Sequence, residues 1–412
     1  MNAPIKNSET FALKIGRGEF IAIIAALIAI NALAIDVMLP GMSQIGASLG
    51  VTDPNQRQYV ISAYLLGFGV TQLIFGPLSD RYGRRGPLLI GIAVYVLAAI
   101  SCVFVPAFMP LLILRTIQGA GAAGTRVIAI AIVRDVFGGR QMAEVMSLVM
   151  TVFMIMPVVA PNIGQLILLF SEWHMIFVFM AVIATVIGVW ALYRLPETLH
   201  PQDRRPFTLA SVAAGFKVVL TNRLSLWYTL ATSVIFGALF GFINSAQQIY
   251  VGIYGLGVWF PVVFAGVAGM MSIASFANSK LVVRLGMRRL SHAAVLGFIA
   301  SSAVMAILAY LGPVPLPLFL GLFSVAMICF GAIGSNFNSI AMEPLGHMAG
   351  TASSAQGFFQ TIGGALVGAA IGQQFDGTVL PISFGFFSVG VLALIFVLIA
   401  EKGKLFSVGA QK

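Results

Sequence analysis

The chain has 412 residues, of which 59% are hydrophobic and only 9% are charged. Its mean hydropathy of +1.00 excludes an ordinary soluble domain, in which roughly half of the residues are apolar. The net charge of +10 at pH 7 is compatible with a nucleic-acid partner only if the cations gather on one face. They do not, and we expect the lipid bilayer to be the solvent of this chain.

Apolar runs long enough to cross a bilayer as a helix of about 20 residues occur twelve times. The runs are continuous, whereas barrel strands alternate apolar and polar residues. The sequence therefore predicts an all-α membrane protein. The predicted spans are 20–40, 58–77, 87–106, 111–132, 143–169, 174–193, 224–246, 257–280, 291–311, 316–340, 352–374 and 382–400.

Charge placement predicts the orientation of these spans. With the N-terminus in the cytoplasm, 20 of the 23 cations lie on the cytoplasmic side and only Arg57 falls in an external loop. Cytoplasmic loops of membrane proteins carry an excess of Lys and Arg. We therefore expect both termini inside, a lipid partner and no nucleic-acid partner. The first apolar run is too long for a cleaved signal and is predicted to remain as a helix.

A polar interruption at residues 194–223 divides the spans six and six. The segment Arg81-Tyr82-Gly83 after the second span has a counterpart, Arg284-Leu285-Gly286, after the eighth. This repeat predicts two pseudo-symmetric six-helix halves with a substrate site between them near the midplane. The predicted units are an N-terminal half (1–193), a cytoplasmic linker (194–223) and a C-terminal half (224–412).

Asp36 is the one carboxylate in the middle of a predicted span. A carboxylate costs at least about 2.5–3.5 kcal/mol at membrane depth, so it is a candidate for proton coupling. The alternative is a buried ion pair that only fixes helix packing. At a helical rise of about 1.5 Å per residue, Asp36 and Arg115 are predicted to lie at a similar distance from the outer surface. Arg115 is therefore the expected partner of Asp36.

Arg126 follows Arg115 by eleven residues, which places both on one helix face with Arg126 roughly 16 Å deeper. Its side chain either extends to the cytoplasmic surface or faces the cavity and binds anionic or carbonyl groups of a substrate. Amides facing lipid are costly, so other polar groups in the spans are expected to line the cavity. The remaining substrate-binding candidates are Asn31, Tyr64, Gln72, Gln118, Asn244, Gln247, Asn336 and Asn338.

Enzyme motifs are missing from the sequence. It contains no H-E-x-x-H pair, no G-x-S-x-G elbow, no C-x-x-C metal spacing and no phosphate-binding G-x-x-x-x-G-K-[ST] loop. We therefore expect no enzyme activity, no metal and no cofactor, and we expect an ion gradient as the energy source.

Four segments carry a family resemblance. The string Gly76-Pro77-Leu78-Ser79-Asp80-Arg81-Tyr82-Gly83-Arg84-Arg85 resembles the loop between helices 2 and 3 of the major facilitator superfamily. Arg115, Gln118 and Gly119 resemble its fourth-helix pattern R-x-x-Q-G, and Pro161 with Gly164 resembles part of the fifth-helix signature of drug/proton antiporters. Residues 347–354, H-M-A-G-T-A-S-S, resemble the Bcr/CflA group, named for bicyclomycin and chloramphenicol resistance.

The resemblance implies a monomeric proton-coupled antiporter that exports drugs or amphipathic small molecules across a bacterial inner membrane by alternating access. It associates Arg115 with proton coupling. Asp80 and Arg81 are expected to stabilise the outward-open state, unless the loop only anchors the topology. The candidate gating residues are Gly76, Asp80, Arg81, Gly83, Arg84, Pro161 and Gly164. Alternatives are proton-coupled uptake or facilitated diffusion of a small polar metabolite, and a transporter-like receptor without flux.

Overall fold

A computed structural model describes residues 15–204 and 209–406. Lys6, Lys14, Arg205 and Lys412, which were expected in the cytoplasm, lie outside the described residues, as do the side chains of residues 346–351, including His347. Every regular element in the described ranges is helical, which confirms the all-α prediction.

The N-terminal half contains eight helices, two of them short. They are α1 (Arg17–Asp36), α2 (Met42–Ser48), α3 (Pro54–Arg57), α4 (Tyr59–Tyr82), α5 (Arg85–Cys102), α6 (Phe108–Val136), α7 (Gly139–Phe170) and α8 (His174–Arg194). The first span is α1 extended through a 3₁₀ turn, Leu39–Gly41, into α2. Pro40 has no N–H to donate to the preceding turn, and α1 accordingly ends at Asp36.

The remaining chain adds eight further helices. They are α9 (Leu209–Thr221), α10 (Arg223–Gln247), α11 (Phe260–Leu285), α12 (Met287–Leu311), α13 (Leu316–Met342), α14 (Ala349–Phe358), α15 (Gly364–Gly372) and α16 (Leu380–Ala400). A π-helical turn, Gln248–Ile253, extends α10.

Eleven helical segments of the described residues are long and apolar enough to cross a membrane. The predicted span 352–374 is the twelfth, and it is divided: the π-helical turn Phe359–Gly363 separates α14 from α15. The structure therefore agrees with twelve spans in two six-helix halves. The exact boundaries 1–193, 194–223 and 224–412 stay predictions.

The segment between the halves contains a helix that the sequence analysis did not predict. Helix α9 lies inside the expected polar linker, and its Phe216 ring packs edge-on against Phe358 and Phe359, with centroid distances of 5.5 and 5.4 Å. The linker is therefore anchored to α14 and to the π-helical turn that follows it.

Glycine allows the closest helix contact in the N-terminal half. A methyl group at Gly67 of α4 would overlap the Thr116 carbonyl oxygen, and one at Gly119 of α6 would overlap the Tyr64 carbonyl oxygen. The two backbones therefore interlock reciprocally, as small residues permit in membranes. In the C-terminal half, the stripe of Gly364, Gly368 and Gly372 in α15 serves the same purpose. Its members pack against Phe236, Phe240, Gly241, Asn244 and Gln58.

Replacing Gly119 by Ala is expected to destabilise the protein, because no flexible side chain can move aside for the new methyl group. Overpacking of this kind costs about 1–3 kcal/mol. Thermal unfolding in detergent should show a lower melting temperature for Gly119→Ala. The control is Gly266→Ala in α11, where nothing lies within 4 Å of a new Cβ. Equal melting temperatures for the two variants would contradict the interlock.

Candidate functional site

Side-chain amides join the two halves at one end of the bundle. Gln58 donates to Gln248 Oε1 (2.5 Å) and to the Gly372 carbonyl (3.0 Å), and Gln248 donates to Asn55 Oδ1 (2.8 Å). Asn55 in turn donates to the carbonyls of Gln373 (3.2 Å) and Phe375 (2.9 Å). We call these residues the amide end. The halves are closed against each other there.

Two predicted substrate-binding residues also bridge the halves. Gln247 donates to the Ser43 hydroxyl close to the amide end, and Gln72 donates to Thr361 Oγ1 at 3.1 Å, four helical turns along α4 from its start. In this conformation both side chains therefore hold the halves together. Contact with a substrate stays a prediction for each of them.

Asp36 lies at the break in the first span. It is 3% exposed, and its carboxylate makes no hydrogen bond or ion pair with the described residues. The next residue, Val37, contacts α7 through backbone: a methyl group at Gly164 would overlap the Val37 carbonyl. The fifth-span motif containing Pro161 and Gly164 therefore packs directly beside Asp36.

The predicted ion pair between Asp36 and Arg115 is not formed. Arg115 instead donates to the Ala34 carbonyl at 3.0 Å and to Gln118 Oε1 at 2.6 Å. Arg115 does lie at the predicted depth, because it contacts Ala34, two residues before Asp36 in α1. However, Ala34 and Asp36 lie about 200° apart around the helix axis. The carboxylate consequently leaves α1 on a different side from the guanidinium.

Arg115 is the centre of a buried polar cluster. Its guanidinium carbon lies 4.5 Å from the Tyr64 ring centroid and 5.9 Å from that of Phe177, and Tyr64 donates to Asn31 Oδ1 at 3.0 Å. Arg115, Gln118 and Tyr64 are 0% exposed. The structure thus brings together four predicted site residues, Asn31, Tyr64, Arg115 and Gln118, and satisfies them by mutual contacts.

Arg126 reaches towards the middle of the bundle. Gly119 of α6 packs level with Tyr64 and Phe68 of α4, and Arg126 lies seven residues further along α6, roughly 10 Å deeper. Its guanidinium carbon is nevertheless only 5.8 Å from the Phe68 ring centroid. The side chain therefore extends back along the helix and not towards Arg134. Of the two predicted orientations, the structure disagrees with extension to the surface.

In the C-terminal half, the predicted polar residues differ in their contacts. Asn336 donates to Asn278 Oδ1 at 2.7 Å, and Asn338 accepts from Gln356 at 3.0 Å. Asn244 is 4% exposed, and its side chain makes no hydrogen bond within the described residues. Asn244 thus retains both a donor and an acceptor next to Gly372 of the amide end.

The opposite end of the N-terminal half is held by charge. Arg84 donates to Asp135 (2.7 Å), Asp80 (2.5 Å) and Ser79 (2.8 Å) while its own side chain is 4% exposed. Burial alone would lower the pKa of the Arg84 guanidinium, but the hydrogen bonds to Asp135 and Asp80 raise that pKa above its ordinary value. Arg84 therefore stays charged and links the loop to the end of α6.

Glu197, in the linker, completes this network. Its carboxylate accepts from the backbone N–H groups of Arg84 (2.8 Å), Arg85 (3.1 Å), Thr198 (3.0 Å) and Leu199 (3.0 Å). A carboxylate is stabilising at the N-terminus of a helix, and α5 begins at Arg85. Gly83, with φ of +93°, faces the carboxylate so closely that no side chain fits between them.

The C-terminal half has a comparable charged network around Arg288, which lies two residues after Gly286, whereas Arg84 directly follows Gly83. Arg288 pairs with Glu343 (2.7 Å) and Glu401 (2.8 Å), and Gly286 has a φ of +82°. We call the two charged networks together the basic end. Each ion pair of Arg84 and of Arg288 stays within one half.

Other predicted gating residues also lie at the basic end. Arg81 is exposed, with its guanidinium carbon 5.2 Å from the Tyr82 ring centroid, and Gly76 faces Ser354 of α14 across the halves. Four functional candidates were not predicted from the sequence, namely Asn55, Gln58, Asp135 and Glu197. Two signals were available: amides clustered at span ends, and an acid directly after the sixth span.

Glu197→Gln is expected to loosen the loop, because an amide presents one acceptor oxygen where the carboxylate presents two. Hydrogen bonds to charged groups contribute about 1.5–3 kcal/mol. Hydrogen–deuterium exchange should accelerate at the amides of residues 84 and 85. The control is Glu172→Gln, at a side chain that is 85% exposed. Unchanged exchange at residues 84 and 85 would count against the role of Glu197.

Comparison with known proteins agrees with this architecture. The family model described as Major Facilitator Superfamily matches residues 21–368. The chain is 31% identical to the bicyclomycin resistance protein homolog of Haemophilus influenzae, over 92% of this chain and 94% of that protein.

A second relative is the multidrug resistance protein MdtL of Salmonella typhi, 28% identical over 83% of this chain and 85% of that protein. The fold is similar to a bacterial homolog of the human lysosomal transporter Spinster, solved in an inward-facing and unoccupied conformation. The TM-score is 0.70 at 14% identity, covering 93% of this chain and 95% of that one. The chain belongs to the major facilitator superfamily.

Proposed function

We propose that this protein is a proton-coupled antiporter that exports drugs or amphipathic small molecules. Its superfamily makes it a membrane transporter, and its relatives include a bicyclomycin resistance protein homolog and multidrug resistance proteins. The observation that carries the proposal is Asp36, a buried carboxylate at a break in the first span that has no partner among the described residues. Binding of a proton is the simplest way to neutralise such a carboxylate.

The proposed orientation places the basic end in the cytoplasm of a bacterium and the amide end outside its inner membrane. The distribution of Lys and Arg supports this assignment. In the conformation described here the amide end is closed. Alternating access would require the amide end to open.

Asp36 is proposed to take up a proton from the outside and to release it to the cytoplasm. Each proton moving down 100 mV releases about 2.3 kcal/mol, enough for roughly a 50-fold substrate gradient. Arg115 does not pair with Asp36 here, so its proposed part is to hold α1 near Ala34 and to supply a fixed positive charge.

Asp36→Asn is expected to abolish proton-driven efflux in proteoliposomes while substrate binding stays measurable, because an amide cannot exchange the proton. The control is Asp53→Asn, since Asp53 is an exposed helix cap and Asn caps helices equally well. Coupled transport that persists in Asp36→Asn would remove Asp36 from the mechanism.

The direct test of the function is expression in a bacterium that lacks its own exporters, followed by screening a compound panel for raised resistance. Resistance should collapse when the proton gradient is dissipated. Resistance that depends on ATP alone would overturn the antiport proposal. Uptake of a polar metabolite, or tight binding without flux in vesicles, would favour a carrier or a receptor respectively.

Asp80→Asn is expected to slow turnover with little change in substrate affinity. Asp80 is proposed to stabilise the outward-open state, whereas in the present conformation it pairs with Arg84 of its own half at 2.5 Å. Initial rates and equilibrium binding should be compared with those of Asp53→Asn. A large loss of affinity at normal turnover would show that the loop shapes the substrate site instead.

A further inference from the structure

Arg126 is a cation at membrane depth that the proposed proton exchange leaves without a role. It lies ten residues before α6 ends at Val136, roughly 15 Å along the helix. Its guanidinium makes no hydrogen bond or ion pair with the described residues, although it lies over the Phe68 ring. A charge at such depth is costly, and it is normally paired or faces a substrate pathway.

The surroundings of Phe68 place Arg126 beside the contact between the halves. One turn further along α4, Gln72 donates to Thr361 of the C-terminal half, and a Cβ at Gly69 would lie 3.2 Å from the Thr361 methyl group. Residues four apart share a helix face. The Arg126 guanidinium therefore borders the space in which a major facilitator substrate would sit.

A lipid headgroup does not suit this position. The side chain of Arg126 extends from its Cα towards the level of Phe68, away from the basic end and from the headgroups there. The nearest hydrocarbon offers no anion. An anionic group can therefore reach the guanidinium only from between the halves.

We propose that Arg126 binds the anionic group of a zwitterionic, amphipathic substrate whose cationic group competes with the proton at Asp36. This inference rests on the proposed exchange with protons. A solute carrying only an anion would bind best when Asp36 is protonated, which produces cotransport. A solute carrying only a cation would be repelled by Arg126. A zwitterion satisfies both charges and still exchanges with a proton.

The relative heights of the two charges suit a small molecule. Arg115 lies over Tyr64 and Arg126 over Phe68, one turn further along α4. Asp36 lies within about one turn of the carbonyl that Arg115 contacts. Asp36 and the Arg126 guanidinium are thus separated by roughly 5–10 Å along the membrane normal. This distance matches the length of a compound of a few hundred daltons.

The test compares a small panel of zwitterionic fluoroquinolones with their methyl esters, which keep the ammonium group and lose the carboxylate. Proton-driven flux is measured in proteoliposomes for the unchanged protein, Arg126→Gln, Arg126→Lys and the control Arg134→Gln, an exposed arginine two turns further along α6. We expect Arg126→Gln to lower flux of the zwitterions about tenfold or more, and to leave flux of the esters equal or higher, because the variant no longer repels a solute that carries only a cation. Arg126→Lys should retain most of the zwitterion flux, and Arg134→Gln should change neither.

Transport of the esters also reports that Arg126→Gln has folded. The inference is overturned if the variant loses zwitterions and esters equally, if it keeps zwitterion flux, or if the unchanged protein carries no zwitterion of the panel. Failure of the antiport proposal has a different signature: Asp36→Asn would then leave proton-driven flux of every compound intact, whatever Arg126→Gln does.

Discussion

Lipid hydrocarbon supplies neither hydrogen bonds nor countercharges, so a polar group that does not line a cavity has to be satisfied within the protein. Arg115 shows how the fold meets this constraint. Its guanidinium is satisfied by the Ala34 carbonyl, by Gln118 and by the rings of Tyr64 and Phe177, without an acid. The packing of α1, α4, α6 and α8 around Arg115 therefore does not depend on the charge of Asp36. A proton-binding group can change state there while its supporting helices stay in place.

The contacts within each half are stronger than the contacts between the two halves. Within the N-terminal half, α4 and α6 meet backbone to backbone at Gly67 and Gly119. The ion pairs of Arg84 and of Arg288 also lie within single halves, and those with Asp135 and Glu401 are largely buried. Between the halves, the amide end consists of neutral hydrogen bonds, each with a net contribution of about 0.5–1.5 kcal/mol. Movement of one half against the other is therefore easier than movement within a half.

The sequence predicted the fold because bilayer thickness sets the length of an apolar run. It missed α9, which is too short to cross, and the π-helical turn Phe359–Gly363, which leaves hydropathy unchanged. Asp36 was found because it is isolated. Its pairing with Arg115 was wrong because counting residues gives depth and not direction around the helix. Glu197 was missed because the partners that link it to the loop, the backbone N–H groups of Arg84 and Arg85, are more than a hundred residues away.

The two halves share a turn but differ in their chemistry. Gly83 and Gly286 place an arginine between acids at the basic end of each half, while Asp80 is matched by Val283. In the described C-terminal half, Glu343, Asp376 and Glu401 lie at helix ends or in loops, and its buried polar groups include the amides of Asn244, Asn278 and Asn336. Amides keep the same charge at every pH. Under the proposed function, Asp36 of the N-terminal half would carry the proton, and these amides of the C-terminal half would contribute hydrogen bonds that do not change when Asp36 is protonated.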